Sequence, residues 1–385
     1  MLQVQTAFST EIDDLDALVE DILSQLDLSA LLKNSAGILT CHSDFIDIGL
    51  LEALHERLPF DFIGMTTAAS ATIQGYDRYS MALTVLTSDD VTFVATTTKP
   101  LDKDHYIESI RSTYSEAHRD LPGNPALVIA FFPYLKYLSG ADLNRALDVV
   151  CDGVPFWGPM ATGIQLSHDQ CRTIHNNSID NASLAMLLVH GPIDPEFAVV
   201  SIPEYNTRDI RGTITEADGC TLRKINNMPA KDYLHNLGIT LLADQVTTLP
   251  LMVYYPGTSE PVTLGIFNIN EDGSFLCGGE MIVGSGVAVG TITPKGILDS
   301  AEELIRQIRQ TGRRSGTLIM PCVTRYVILA PDQNAEMCSI SDKLGKESGV
   351  TFALCYAGGE FCPIKDDTGH LRNTFHNYTI IACIF

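Results

Sequence analysis

The sequence predicts an α/β protein whose mixed sheets are flanked by helices. Three observations carry that expectation. A strand-turn-helix-strand unit occurs twice in the first half of the chain, and a looser copy closes the second half. The composition, 45% apolar and 19% charged, is that of a globular protein. At 385 residues the chain exceeds what one core usually holds, so two domains or repeated units are expected.

The chain opens on a helix. Thr10 is placed to cap it, Asp13 stands third after the cap, and Ile12, Leu15, Leu18, Ile22 and Leu26 recur at helical spacing. The first unit then begins with Gly37-Ile38-Leu39-Thr40-Cys41, an apolar strand running into the polar turn His42-Ser43-Asp44. An amphipathic helix follows through Ile48, Leu51, Leu54 and Leu58. Next come the segment Pro59-Phe60-Asp61-Phe62-Ile63-Gly64-Met65-Thr66 and the strand Met81-Ala82-Leu83-Thr84-Val85-Leu86.

The second unit repeats this order. The strand Ala126-Leu127-Val128-Ile129-Ala130-Phe131 leads to a helix capped by Ser139 with Asp142 at its third position. Then follow Pro155-Phe156-Trp157-Gly158-Pro159-Met160-Ala161-Thr162 and the strand Ser183-Leu184-Ala185-Met186-Leu187-Leu188-Val189. The offset, roughly 95 residues, is longer than a solenoid period, so the units, at about 36–90 and 125–190, read as two halves of one N-terminal domain.

Residues 197–218 are rich in β-branched residues, and a domain boundary is expected near Pro229, giving domains 1–229 and 230–385. Beyond a short helix at 230–237, Leu251-Met252-Val253-Tyr254-Tyr255, Thr263-Leu264-Gly265-Ile266-Phe267, Phe275-Leu276-Cys277 and Val287-Ala288-Val289 read as short strands. Glu271-Asp272-Gly273 is a hairpin signal. A helix at 297–310 leads into the third unit. It consists of Thr317-Leu318-Ile319-Met320-Pro321-Cys322, a helix around Met337, Ile340 and Leu344, a segment at 350–361, and a final strand at 378–385.

Lys plus Arg number 25 against 47 Asp plus Glu, a net charge of −22, which repels phosphate backbones and argues against nucleic-acid binding. No run approaches the roughly 20 apolar residues of a membrane span, and the N-terminus lacks a basic region followed by an apolar stretch. A soluble, cytoplasmic protein is expected. The ten cysteines lie mostly within apolar runs and form no C-x-x-C pair, as buried thiols of a reducing compartment do.

Gly284-Ser285-Gly286-Val287-Ala288-Val289-Gly290 has its last glycine one residue late for a dinucleotide loop and no helix after it, so it reads as a turn entering a strand. Gly358-Gly359-Glu360-Phe361 lacks one of the two acids of the diguanylate cyclase signature, which excludes that activity. Cys322-Val323-Thr324-Arg325 sets a thiol and a guanidinium at one strand end, where arginine lowers a thiol pKa and offers a fork for an anion. With His376 as base and Glu360 as its orienter, Cys322 would make a thiol nucleophile; otherwise it is a buried cysteine beside a structural Arg–Glu pair. His42 directly follows the first strand, where ligands collect in open α/β sheets, and is equally a polar turn residue. His376, before the last strand, reads first as a turn former. A single axial haem ligand leaves no motif, so His42 and His376 are both candidates for one.

Several of these stretches together resemble the FIST family, the F-box and intracellular signal transduction sensory module, over nearly the whole chain. The likeness rests on residues 59–67 and 155–162 as paired Pro…Gly-small segments and on Ser80-Met81-Ala82-Leu83 as the returning strand. In the C-terminal part it rests on Asn226-Asn227-Met228-Pro229-Ala230, Asp272-Gly273-Ser274, Cys322-Val323-Thr324-Arg325, Tyr356-Ala357-Gly358-Gly359-Glu360-Phe361 and His376-Asn377-Tyr378-Thr379. The chain departs from the family pattern at Thr324, where a glycine is usual, and near Ala68-Ala69.

The resemblance implies a small-ligand sensor that signals to a separate protein such as a histidine kinase, since some members bind haem and sense nitric oxide and others are coupled to kinases. Haem with nitric oxide and a colourless metabolite such as an amino acid are rival ligands; a Cys322-dependent hydrolase or transferase is the enzymatic alternative. Self-association stays open. The expected cleft takes Arg325 for an anionic group, Cys322 and Tyr356 as walls, and Gly358 and Gly359 for close backbone approach. Glu360 would fix Arg325 or an amine, Asn377 would make polar contacts, and Thr66 and Thr162 would come from the paired segments.

Overall fold

The computed structural model describes residues 2–163, 169–208, 210–240, 249–258 and 261–385. Among the described residues the protein is a mixed α/β structure built from three six-stranded sheets and a fourth, closed sheet. The repeat is threefold. Each unit has an edge strand, a helix, a first strand, a crossover, a second strand parallel to the first, a hairpin, and a return strand antiparallel to the first.

In the first unit these are Gln3–Ser9, the helix Leu15–Ser24, Asn34–Cys41, the crossover helix Leu50–Arg57, Phe62–Thr66, the hairpin Ser70–Thr72 with Tyr76–Asp77, and Met81–Ser88. In the second they are Thr92–Thr97, the helix Tyr106–Ala117, Leu127–Phe131, Gly140–Cys151, Phe156–Pro159, the hairpin Thr173–His175 with Ser178–Asp180, and Ala185–His190. In the third, Glu196–Val200 is the edge strand and Pro294–Thr311 its helix. Thr317–Pro321, the helices Val323–Ile328 and Ala335–Ile340, Phe352–Cys355, the hairpin Glu360–Lys365 with Leu371–His376, and Ile380–Ile384 complete it.

No unit completes its own sheet. The second unit's hairpin extends the first sheet, the third unit's hairpin extends the second, and the first unit's hairpin extends the third. This closed exchange ties both ends of the chain into one body. One face of all three sheets feeds a shared apolar core, with Ile38 and Met65, Ile129 and Trp157, and Met320 and Cys383 among its members. Strand alternation sends the neighbouring residues outward. Leu39, Val128 and Ile319 thus pack under the helices of their own units.

Between the third unit's edge strand and its helix, the chain builds a closed antiparallel barrel. Its order is Gly212–Asp218, Gly286–Val289, Pro250–Tyr254, Val262–Ile269, Phe275–Cys277 and Thr221–Ile225, which pairs back to Gly212–Asp218. Strands on both sides of Pro229 share this one sheet. Its interior holds Ile214, Leu222, Leu264 and Phe275, and the helix Ala230–Asn236 adds Tyr233 and Leu234.

Several local details differ from the sequence reading. The opening helix is capped by Asp14, whose side chain accepts from Ala17 N, and not by Thr10, because after the strand Gln3–Ser9 the chain stays non-helical through Asp14. The first unit's amphipathic stretch is split by Gly49 at φ +90° into Asp44–Asp47 and Leu50–Arg57. His376 ends the strand Leu371–His376 and does not form a turn; the turn is at Tyr378, with φ +61°. The Ser139–Asp142 capping box forms as expected.

Candidate functional site

The second strands of the three units end together on the pseudo-threefold axis. Thr162 N donates to Thr66 O at 3.1 Å, Gly358 N to Met160 O at 2.9 Å, and Thr67 Oγ1 to Tyr356 O at 2.8 Å. Each unit thus bonds the next in a ring. Thr66, Thr162, Tyr356, Gly358 and Gly359 are brought together here, as the sequence reading expected, but as a packed joint in which Thr66, Thr162 and Tyr356 are fully buried. Thr66 Oγ1 is committed to Gln170 O at 2.6 Å, and Thr162 Oγ1 to Gly163 O at 3.1 Å. A Cβ on Gly359 would stand 2.6 Å from the Phe375 ring, so its small size serves packing against that ring.

Arg325 lies behind this ring with every nitrogen engaged by protein. Nε donates to Glu336 Oε1 at 3.0 Å, Nη1 to Tyr378 O at 3.2 Å, and Nη2 to Ile297 O, Ser300 Oγ and Glu336 Oε1. Tyr356 Oη donates to Glu336 Oε2 at 3.0 Å. The partner that fixes Arg325 is therefore Glu336, not Glu360. Burial and the Glu336 carboxylate push the Tyr356 phenol well above its ordinary value, so it stays a donor.

Glu360 accepts from Thr379 Oγ1 at 2.9 Å beside the Cys322 thiol. Burial raises its pKa to about 8, with Thr379, Cys322 and Arg325 only partly opposing. Burial, then Glu360, raises the Cys322 thiol far above its ordinary range, so a thiolate is strongly disfavoured. His376 turns away: Nε2 lies 3.1 Å from Cys362 O, and burial lowers its pKa to about 4. Asn377 docks the third unit on the barrel, its Oδ1 accepting from Gly265 N at 3.1 Å and its N donating to Thr263 O at 2.9 Å.

His42 follows the first strand, accepts at Nδ1 from Asp44 N at 3.3 Å, and tilts against Tyr79 at 4.8 Å. Haem would ask one of the two candidate histidines for a free nitrogen facing an apolar slot. His376 Nε2 is held by the Cys362 carbonyl while its Nδ1 is buried without a hydrogen-bond partner, and neither histidine lines the two grooves described next.

Grooves lie elsewhere, along open sheet edges. One, of about 1280 Å³, runs beside Glu196–Val200 and is walled by Ser300 and Gln307 of the long helix, Arg211 and Tyr254 of the barrel side, and Ile364 and Lys365 of the third hairpin. A second, of about 690 Å³, lies between Thr92–Thr97 and the helix Tyr106–Ala117. Sequence reasoning missed both, because a groove between two elements has no local signal. Residues 197–200 of the strand Glu196–Val200 open the β-branched stretch 197–218, which is the one trace in the sequence.

Family models match residues 35–228 as a FIST N domain and residues 230–363 as a FIST C domain. The chain belongs to the FIST family. FIST domains are sensor domains of signal transduction, which supports a sensor role for this protein. No curated protein matches the chain. Among solved structures, a cyanuric acid hydrolase from A. caulinodans is 10% identical over 100% of this chain and 99% of its own, with a TM-score of 0.36, too loose a likeness to support an argument.

Several residues behind the FIST resemblance turn out to build the fold. Asn226 and Asn227 supply the two positive φ values, +51° and +63°, of the turn between Thr221–Ile225 and Met228–Pro229. Asp272 Oδ1 accepts from Ser274 N at 3.0 Å in the hairpin before Phe275–Cys277. Among the described residues of this FIST protein, no helix is long and apolar enough to cross a membrane.

Proposed function

We propose that this FIST protein is a cytosolic sensor of a small, colourless metabolite that binds beside Glu196–Val200 and is reported to a separate signalling protein such as a histidine kinase. The observation that supports the reading is the groove of about 1280 Å³, somewhat larger than the roughly 300–1,000 Å³ of ordinary ligand sites, formed where the third unit, the barrel and the third hairpin meet. A molecule touching three separately built elements biases their relative placement, which is what a sensor requires.

The wall chemistry favours a carboxylate. Arg211 stacks over Tyr254 at 3.9 Å, Arg208 Nη1 donates to Leu237 O, and Lys365 has no ion-pair partner among the described residues. Asp299, Glu303 and Glu196 are already paired with Lys295, Arg306 and Arg313. Arg208, Arg211 and Lys365 have no ion-pair partner among the described residues, share the groove with one likewise unpaired acid, Glu204, and on a chain of net charge −22 suit an amino-acid-like anion. Ser300 supplies the relay. It lines the groove and takes Arg325 at 2.8 Å, and Arg325 connects through Glu336 to Tyr356 in the ring.

The enzymatic alternative has less support, because the buried Cys322 thiol is held neutral and His376 bonds elsewhere. Calorimetry with free amino acids and short acidic peptides tests the proposal. Saturable binding that disappears in the Arg208→Ala, Arg211→Ala double variant is expected. Saturable hemin binding with a Soret band lost on His42→Ala or His376→Ala would overturn it.

A further inference from the structure

We infer that the ligand carries a peptide-type amide, held by the main chain of Val199 as the side chain of Gln25 is held by Phe8. This rests on the groove reading above and names the chemistry that reading leaves open.

The template is inside the molecule. Phe8, Thr97 and Val199 occupy the same position in the three edge strands: their return-strand partners are Ala82, Ala185 and Ile381, which pair in turn with Thr40, Phe131 and Met320. The next residues, Cys41, Phe132 and Pro321, each accept the equivalent ring amide, from Thr67, Ala161 and Ala357. In the first unit Phe8 N donates to Gln25 Oε1 and Gln25 Nε2 donates to Phe8 O, both at 2.9 Å. One carboxamide thereby makes both bonds that a neighbouring β-strand residue would make.

In the second and third units that position opens onto the grooves: Thr97 lines the smaller and Val199 the larger. No described side chain takes the place of Gln25. Gln307, on the wall beside Val199, gives its amide to Glu303 Oε1 at 2.8 Å. An edge strand with free N–H and C=O groups is a template for an extended chain. Glu196–Val200 offers five residues, about 17 Å, room for a short peptide. The cations Arg208, Arg211 and Lys365 in the same groove suit its terminal carboxylate. The two observations together specify a short extended peptide with a free or acidic end.

The test is calorimetry of the full chain with Ala-Ala-Glu and related acidic tripeptides, with the same peptides N-methylated at one amide in turn, and with free glutamate. Main-chain pairing predicts that methylation at one position and the Val199→Pro substitution each weaken binding about tenfold, and that glutamate binds at least as much more weakly. Proline is tolerated on an edge strand where its N–H faces outward. If Val199→Pro does not fold, the methylated peptides on the native chain decide. Equal binding of methylated and unmethylated peptides, still abolished by Arg208→Ala with Arg211→Ala, overturns the amide inference and leaves the groove reading standing. Peptide binding indifferent to the arginine variant overturns both, and failure of every tripeptide to bind overturns the amide inference.

Discussion

Arg325 and Glu336 form an ion pair in which neither side chain reaches solvent. Arg325 stands on Val323–Ile328 and Glu336 on Ala335–Ile340, while Ser300 and Ile297 belong to Pro294–Thr311. The pair therefore clamps three helices of the third unit, and Tyr356 joins them to the ring.

Removing one partner of such a pair leaves an uncompensated buried charge. Arg325→Ala is expected to destabilise the fold by about 3–5 kcal/mol, and Glu336→Gln, which leaves the buried guanidinium without its counter-charge and puts an NH2 where one carboxylate oxygen accepted, by a comparable amount. Urea titrations followed by circular dichroism measure both. An Arg325→Ala protein of native stability would show that the pair contributes nothing net.

Stability should respond to pH through Glu360 and His376. Glu360 has its folded pKa raised from 4.5 to about 8, so between those values the folded state holds a proton that the unfolded state has lost, and stability falls as pH rises. His376 has its folded pKa lowered from 6.5 to about 4, so the unfolded state holds the extra proton there, and stability rises with pH across that window. The two slopes, each roughly 1 kcal/mol per pH unit, oppose between about 4.5 and 6.5, and the Glu360 slope alone remains from 6.5 to 8. Glu360→Gln should flatten that upper limb. Denaturation midpoints at half-unit pH intervals check it, and an unchanged slope in the variant would refute the assignment.

Alkylation should spare Cys322. All ten cysteines are free; only Cys220 and Cys338 are partly exposed, and Cys322 is buried with a raised pKa. Timed iodoacetamide labelling read by mass spectrometry is expected to modify Cys220 or Cys338 first. Cys322 labelling ahead of both would restore the thiol-enzyme reading.

Gly64 and Gly158 hold equivalent places in the second strands of the first two units. A Cβ at either would lie 1.8 Å from a carbonyl oxygen of the parallel partner strand, Leu39 O or Ala130 O. Gly64→Ala and Gly158→Ala are expected to force those strands apart, lowering the melting temperature by several degrees at least or preventing soluble folding. A native melting curve for either would mean that the strands shift at little cost.

The sequence reading already contained much of this architecture. The strand-turn-helix order of two units, the Ser139–Asp142 cap, the barrel strands beyond residue 250 and the helix before Thr317 all follow from local patterns of spacing and capping. The family likeness was legible too, because turn-forming motifs such as Asn226-Asn227 and Asp272-Gly273-Ser274 are written in contiguous residues. Thr66, Thr162 and Tyr356 were singled out together, and the ring unites them.

What the tertiary structure decided is which strand pairs with which, and therefore what is open. Periodicity states that a strand has two faces but does not name the neighbour across its edge, so the hairpin exchange and the barrel closure had no sequence signal. The partner of Arg325 was misjudged for the same reason: Glu360 and Glu336 are both acids at workable distance along the chain, and only helix packing puts Glu336 against the guanidinium. The groove beside Val199 is the limiting case, since it consists of main-chain groups whose availability depends on no other segment covering them. Local chemistry determined the elements and their order; long-range pairing determined which polar groups were consumed in holding the fold and which were left for a ligand.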